Sequence, residues 1–366
     1  MTRQTYLITG GAGFIGSHLT EALLERGNRV LVLDDLSTGS LQNLSGVADH
    51  PQLDVEVGSV LDDVKVDRLV HRADVVVHLA AAVGVKLIIE EPLQSFATNI
   101  RGSEVVIGAA HRYRRKILVA STSEVYGKNG DVNLTESADR VLGPTSIARW
   151  AYSTAKAVDE ILALNYHRER QLEVVIVRLF NTVGPRQSPG YGMVIPRLAR
   201  QAVAGQPLSV YGDGQQSRCF CHVEDVIRAL LELLERPDAV GNVFNVGSTQ
   251  EISIVDLAQR VVDVAGSVSP IVLIPYEEAY AEGFEDMRRR VPDTTKLHDL
   301  TGWEPQRSLD DILDDAIADA RRAQLRDGVI DLEFEEALEA HAARAAARSL
   351  DGGRWETTDE SHKRAG

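Results

Sequence analysis

Cysteine is almost absent: Cys219 and Cys221 are the only two in 366 residues. One residue apart on an expected strand, they point to opposite faces and are poorly placed to bridge each other. They read as free thiols in a reducing cytoplasm. No apolar run approaches the length of a membrane span. The chain starts almost directly with an expected strand, which leaves no room for a signal peptide. Basic residues are outnumbered, 39 Lys and Arg against 54 Asp and Glu, for a net charge of −15. That balance argues against nucleic acid or a membrane surface as partner, and an anionic small molecule would need a locally basic pocket. No spacing of His, Cys, Asp and Glu suits a metal ion, and no internal repeat is evident.

What is present begins with glycine. Thr9-Gly10-Gly11-Ala12-Gly13-Phe14-Ile15-Gly16 follows the apolar run Tyr6-Leu7-Ile8 and opens a segment with Leu19, Leu23 and Leu24 on one helical face. In such a turn Gly10 permits the tight bend, Gly13 lets a pyrophosphate approach the backbone, and Gly16 lets helix pack on strand. The helix N-terminus then favours the anion. The next apolar run, Val30-Leu31-Val32-Leu33, ends in Asp34, eighteen positions after Gly16. A carboxylate there accepts from both adenosine ribose hydroxyls and repels a 2′-phosphate, so the expected cofactor is NAD and not NADP.

Through about residue 180, short apolar runs (Val75–Leu79, Ile117–Ala120, Val174–Val177) alternate with helical patterns. That alternation predicts an α/β fold, a Rossmann-type doubly wound parallel sheet with helices on both faces. Glycine and proline punctuate the chain from Asn181 onward, which suggests a smaller α/β lobe over the sheet's carboxyl edge. The expected organisation is a dinucleotide domain over 1–180 (with some later segments returning to it), a substrate lobe over 181–325, and a Glu/Ala-rich helical tail, partly disordered, over 326–366.

Tyr152 and Lys156 lie four apart and share one face of an expected helix. A free tyrosine, with a pKa of about 10, is a poor base at neutral pH. A neighbouring ammonium and the positive nicotinamide ring would favour its phenolate. A Tyr-x-x-x-Lys pair alone is most often a solvated helix face. Its weight here comes from the dinucleotide turn upstream.

Taken with His78-Leu79-Ala80-Ala81, Asn99, Ala120-Ser121-Thr122-Ser123-Glu124, Arg178 to Arg186, Val210 to Gly214 and Arg218 to Asp225, these motifs resemble the extended short-chain dehydrogenases/reductases of the NAD-dependent epimerase/dehydratase group. The resemblance covers about residues 4–320 and implies an enzyme acting on nucleotide sugars. It implies NAD contacts from Phe14, Ile15, Val60, Leu79, Ala80, Ala81, Asn99, Tyr152 and Lys156. One departure is Gly58-Ser59-Val60, where relatives carry Gly-Asp; Ser59 is still an acceptor near adenine. By the same resemblance Tyr152 takes the sugar 4-hydroxyl proton, Thr122 shares a hydrogen bond with that hydroxyl, and Lys156 holds the nicotinamide ribose.

The two positions after Thr122 indicate the branch. Epimerases carry small uncharged residues there and 4,6-dehydratases often Asp-Glu, whereas Ser123-Glu124 resembles the UDP-glucuronate decarboxylases closely and also the GDP-mannose dehydratases. Arg290, before Val291-Pro292-Asp293, resembles their arginine for the substrate carboxylate, which a guanidinium can bind bidentately; Arg288 and Arg289 read as a solvated basic surface as readily as site residues. Asn181, Tyr211 and Arg218 match diphosphate and uridine contacts, and Lys86 and Ser123 are further substrate candidates. UDP-glucuronate decarboxylation is therefore the expected activity. UDP-sugar 4-epimerisation, 4,6-dehydration and a non-enzymatic NAD-binding scaffold are the alternatives. The resemblance also implies a homodimer, through helices around 92–113 and 151–168.

Overall fold

The computed structural model describes residues 3–83, 92–147, 149–188, 193–279 and 287–325. The apolar runs become the strands β1 (Thr5–Thr9), β2 (Arg29–Asp34), β3 (Leu53–Val57), β4 (Val75–His78), β5 (Lys116–Thr122) and β6 (Val174–Leu179). Three short pairs come after them: β7 (Thr182–Val183) with β10 (Cys221–His222), β8 (Leu208–Tyr211) with β13 (Ile271–Ile274), and β9 (Ser217–Cys219) with β12 (Glu251–Ser253). Between them β11 (Asn242–Val246) returns to pair with β6. The result is a seven-stranded parallel sheet in the order β11-β6-β5-β4-β1-β2-β3.

Both faces of this sheet are covered, which is why its inner strands are mostly apolar, whereas the edge strand β3 alternates Asp54 and Glu56 with Leu53, Val55 and Val57. Side chains alternate along each strand, so Tyr6, Ile8, Val30 and Val32 enter one core while Leu7, Leu31 and Leu33 enter the other. The first core is completed by Leu19 and Leu23 of the helix Phe14–Glu25 and by Val226 and Leu230 of the helix Val223–Glu235. The second is completed by Leu69 of Asp63–Arg72, Val106 and Ile107 of Gly102–Arg112, and Ala163 of Arg149–Arg170. From β1 the chain winds one way to β2 and β3, then crosses to β4 and winds the other way. The β1–β4 junction is thus the topological switch point, at whose carboxyl end such sheets bind ligands.

One compact unit runs to Asp319 and a second begins at Ala320. The helix over residues 309–325 buries Ile312, Leu313 and Ile317. The expected tail from residue 326 and the candidate Lys86 lie outside the described residues. Among the described residues, no helix is long and apolar enough to cross a membrane and no cluster of His, Cys, Asp and Glu could hold a metal. Cys219 and Cys221 are buried and unpaired, and burial pushes the Cys219 thiol up to about 12.

Candidate active site

A cleft of about 490 Å³ opens at the carboxyl end of the switch point. Its floor is the glycine turn. Gly10 has φ +72°, and a Cβ there would stand 2.8 Å from Ala80 N. A Cβ on Gly16 would stand 2.1 Å from the carbonyl oxygen of Gly10, so turn and helix meet only without side chains. Gly13 caps the helix Phe14–Glu25 with no side-chain bond, leaving the helix N-terminus bare for an anion. Gly13, Phe14 and Ile15 line the cleft, as do Leu79, Ala80 and Ala81 after β4.

Asp34 ends β2 at the same cleft. Its Oδ2 accepts from Ala12 N at 2.9 Å and its Oδ1 from Leu36 N at 2.8 Å. Burial pushes its carboxyl up, and these backbone N–H groups offset only part of that rise. A bare glycine floor, an uncapped helix N-terminus and a carboxylate at the end of the second strand fit a dinucleotide whose ribose carries free hydroxyls. Two expected contacts stand back from the cleft. Ser59 Oγ accepts from Leu61 N at 3.2 Å, while its neighbours Gly58 and Val60 line the cavity. Asn99 is buried and clamps the loop after β4, accepting from Ala82 N at 2.8 Å and donating to Ala82 O at 3.2 Å. It shapes the wall, and Thr98 beside it faces the cavity.

Thr122, Ser123 and Glu124 leave the end of β5 as a single helical turn, with Thr122 Oγ1 accepting from Glu124 N at 3.2 Å. Tyr152 and Lys156 come from the first turns of the Arg149–Arg170 helix, and all five line the cleft. Behind them Arg178 donates two hydrogen bonds to the Glu160 carboxylate (2.9 and 2.7 Å), and Glu160 also accepts from Ser121 at 2.5 Å. This buried pair ties β6, β5 and the helix together, and so fixes Thr122 against Tyr152.

The charges differ from expectation in one respect. Burial pushes the Tyr152 phenol up, and the carboxylates of Glu124 and Asp159 push it further. The Lys156 ammonium donates to Asp159 Oδ2 at 3.2 Å, with both side chains almost wholly buried. An i,i+3 carboxylate satisfies the lysine inside the helix's packed face, and its charge offsets the one expected to favour the phenolate.

Across the cleft Arg290 is 6% exposed and donates to Glu124 Oε1 at 2.5 Å and to Asn181 Oδ1 at 2.9 Å. Its Nε is buried with no protein partner. The other two arginines of the run are outside: Arg288 pairs with Asp213, and Arg289 with Glu251. Asn181 also donates to Cys219 O at 2.8 Å, and Tyr211 lies under the Arg197 guanidinium at 4.3 Å. Arg218, 8% exposed, completes this basic side of the cleft.

Residues without an assigned part also line the cavity, notably Arg186, Arg197 and Gln216. Arg186 has φ +70° and donates to both oxygens of Glu21 on the first helix, at 2.8 and 2.9 Å. It closes the Gly184-Pro185-Arg186 motif, which was the available signal. Asp159, the partner of Lys156, carried no signal beyond its i,i+3 spacing.

Comparison with known proteins agrees with this geometry. The profile of the NAD dependent epimerase/dehydratase family matches residues 6–247. A UDP-N-acetyl-alpha-D-glucosaminuronate decarboxylase of Bacillus cytotoxicus is 41% identical over 319 residues, spanning 86% of this chain and 97% of that protein. UDP-glucuronic acid decarboxylase 1 of Arabidopsis thaliana is 34% identical over 325 residues, spanning 89% and 72%. Among solved structures, the UDP-glucuronic acid 4-epimerase of Bacillus cereus, in complex with UDP-glucuronic acid and NAD, superposes with a TM-score of 0.79. Its sequence identity is 27%, with 87% of this chain and 99% of that one covered.

Proposed function

The chain belongs to the NAD-dependent epimerase/dehydratase family, and from that premise we propose that it decarboxylates a UDP-linked hexuronate. The observation that carries this reading is the buried Arg290 between Glu124 and Asn181, facing Thr122 and Tyr152 across one cleft. A guanidinium shielded from water binds a carboxylate far better than an exposed one. The uronate C6 carboxylate is the group it suits.

NAD, when bound, supplies an acceptor for the C4 hydride and later returns it. The protein's part is to move protons and to place the sugar. Tyr152 takes the 4-hydroxyl proton, with Thr122 aligning that hydroxyl, which leaves a ketone at C4. The C6 carboxylate is then β to a carbonyl, so its bond to C5 breaks with the electron pair moving onto the ketone oxygen as an enolate. Glu124 shares Arg290 with that carboxylate, and the crowding of two anions on one cation is relieved as CO2 leaves. C5 takes a proton from solvent, and Tyr152 returns its proton as C4 is reduced, giving the UDP-pentose. Arg218 and Tyr211 hold the nucleotide half on the basic side of the cleft.

The two relatives differ at C2 of the sugar, hydroxyl in one name and N-acetyl in the other, and both substrates belong in the assay. A 4-epimerase reading draws on the Bacillus cereus structure, which binds a uronate without losing its carboxylate in the name of its reaction. The charged Glu124 beside Thr122 favours decarboxylation. Turnover in D2O separates them: decarboxylation places one deuterium at C5 of a product lacking C6, whereas epimerisation leaves C5 protiated and C6 intact. We place the enzyme in the cytoplasm, where buried free thiols stay reduced. We also infer a homodimer through the Arg149–Arg170 helix, whose Val158 and Ile161 are 38% and 56% exposed.

A further inference from the structure

We propose that Asp159 is a positioning residue that sets the protonation of Tyr152 by holding and neutralising the Lys156 ammonium. The proposal rests on the reading of Tyr152 as the base. Its ground is an ion pair of 3.2 Å between side chains 2% and 1% exposed, one helical turn from the phenol. Such a pair is costly to bury, and a structural site would be served as well by an apolar residue.

Among the described residues, the surroundings leave Asp159 dependent on Lys156 and leave Lys156 no other carboxylate. Burial pushes the Asp159 carboxyl up, and the Lys156 charge, with a smaller part from Ser103, opposes that; the Ser103 hydroxyl also donates to Asn99 O at 2.6 Å. Glu160, next on the helix, is taken up by Arg178 and Ser121. From β4, His78 faces Lys156. Both of its ring nitrogens are engaged, with Thr9 at 2.7 Å and Ser103 at 3.0 Å, and burial and the lysine charge push it down to about 3, so it is neutral. From the turn after β5, Glu124 faces Tyr152 but is held by Arg290. Lys156 follows the base by one helical turn, and Asp159 cancels its charge. With Asp159 ionised, the phenol stays protonated until a positive nicotinamide is bound. That couples deprotonation of the base to occupancy of the cofactor site in its oxidised form.

The test is a phenolate titration by ultraviolet difference absorbance on the full-length NAD-loaded protein, with Tyr152→Phe as the baseline that removes the other tyrosines. Asp159→Asn keeps the shape and an acceptor for Lys156 but removes the charge. Its titration midpoint should fall by about one pH unit, about tenfold more phenolate at a given pH. Asp159→Glu keeps the charge and should titrate within a few tenths of a unit of wild type. An Asn midpoint equal to or above wild type overturns the proposal, as does a Glu variant that follows Asn. Asp159→Ser makes the same test if Asn fails to fold. No substrate enters this measurement, so a protein that shows the shift yet turns over no UDP-hexuronate refutes the proposed function and leaves this inference standing.

Discussion

Replacing Arg290 with methionine should weaken binding of a UDP-hexuronate while sparing a UDP-hexose. The guanidinium is 6% exposed, so the bond it offers a carboxylate is shielded from water. Truncating one partner of a buried charge pair costs about 2–5 kcal/mol. Arg290 already holds Glu124 at 2.5 Å, and the incoming carboxylate must share or displace that partner. The lower part of the range therefore applies, roughly 2–3 kcal/mol, or about 30- to 150-fold in Kd. Isothermal titration of the NAD-loaded protein with UDP-glucuronate and with UDP-glucose reads it directly, because the two differ only at C6. The variant also strands Glu124 in a site where it is 17% exposed, so Glu124→Gln is added to Arg290→Met to separate the loss of binding from a distorted pocket. Equal weakening for both ligands, in the single and the double variant, would refute the assignment of Arg290 to the C6 carboxylate.

The same geometry yields three other expected outcomes. The folded protein keeps His78 neutral, pushed down to about 3, whereas the unfolded chain protonates near pH 6.5. Stability should thus fall with pH from about 6.5 toward about 3, by at most roughly 1.4 kcal/mol per unit from this group, and His78→Gln should flatten that slope in urea melts. Glu160→Gln leaves the Arg178 guanidinium without its counter-charge in a site where both side chains are under a tenth exposed. A cost of about 3–5 kcal/mol is expected, roughly 5–8 °C in Tm for a body of this size, and an unchanged Tm would show the pair to be dispensable. Gly16→Ala, whose Cβ would stand 2.1 Å from a backbone oxygen, should abolish NAD retention on gel filtration; an alanine variant that keeps its NAD would remove the glycine turn from the cofactor site.

Much of the frame is readable from the chain because the sheet is buried on both faces. Val75-Val76-Val77 and Val174–Val177 are strands with no polar alternation, and the turn at Gly10–Gly16 has glycine where a Cβ collides. Tyr152 and Lys156 share a helix face by spacing alone, and the residue type at Arg290 pointed to an anion. What stayed hidden depends on contacts between distant segments. Glu124 and Arg290 pair across 166 positions, and nothing local in either stretch announces the other. Asp159 carried no signal in the sequence, and only tertiary packing makes its bond to Lys156 a buried one. Ser59 was placed toward the cofactor by its position in a motif. A short side chain there finds the nearby N–H of Leu61 and turns back into the loop.

The most direct test of the central claim is to incubate the purified protein with NAD+ and, in parallel, UDP-glucuronate and UDP-N-acetylglucosaminuronate, and to weigh the products by mass spectrometry. A sugar nucleotide lighter by one CO2 from either substrate is the result expected of a hexuronate decarboxylase, and the substrate that yields it fixes the C2 group. An isomer of unchanged mass from either one would make the protein a 4-epimerase and contradict the reading of Glu124 and Arg290.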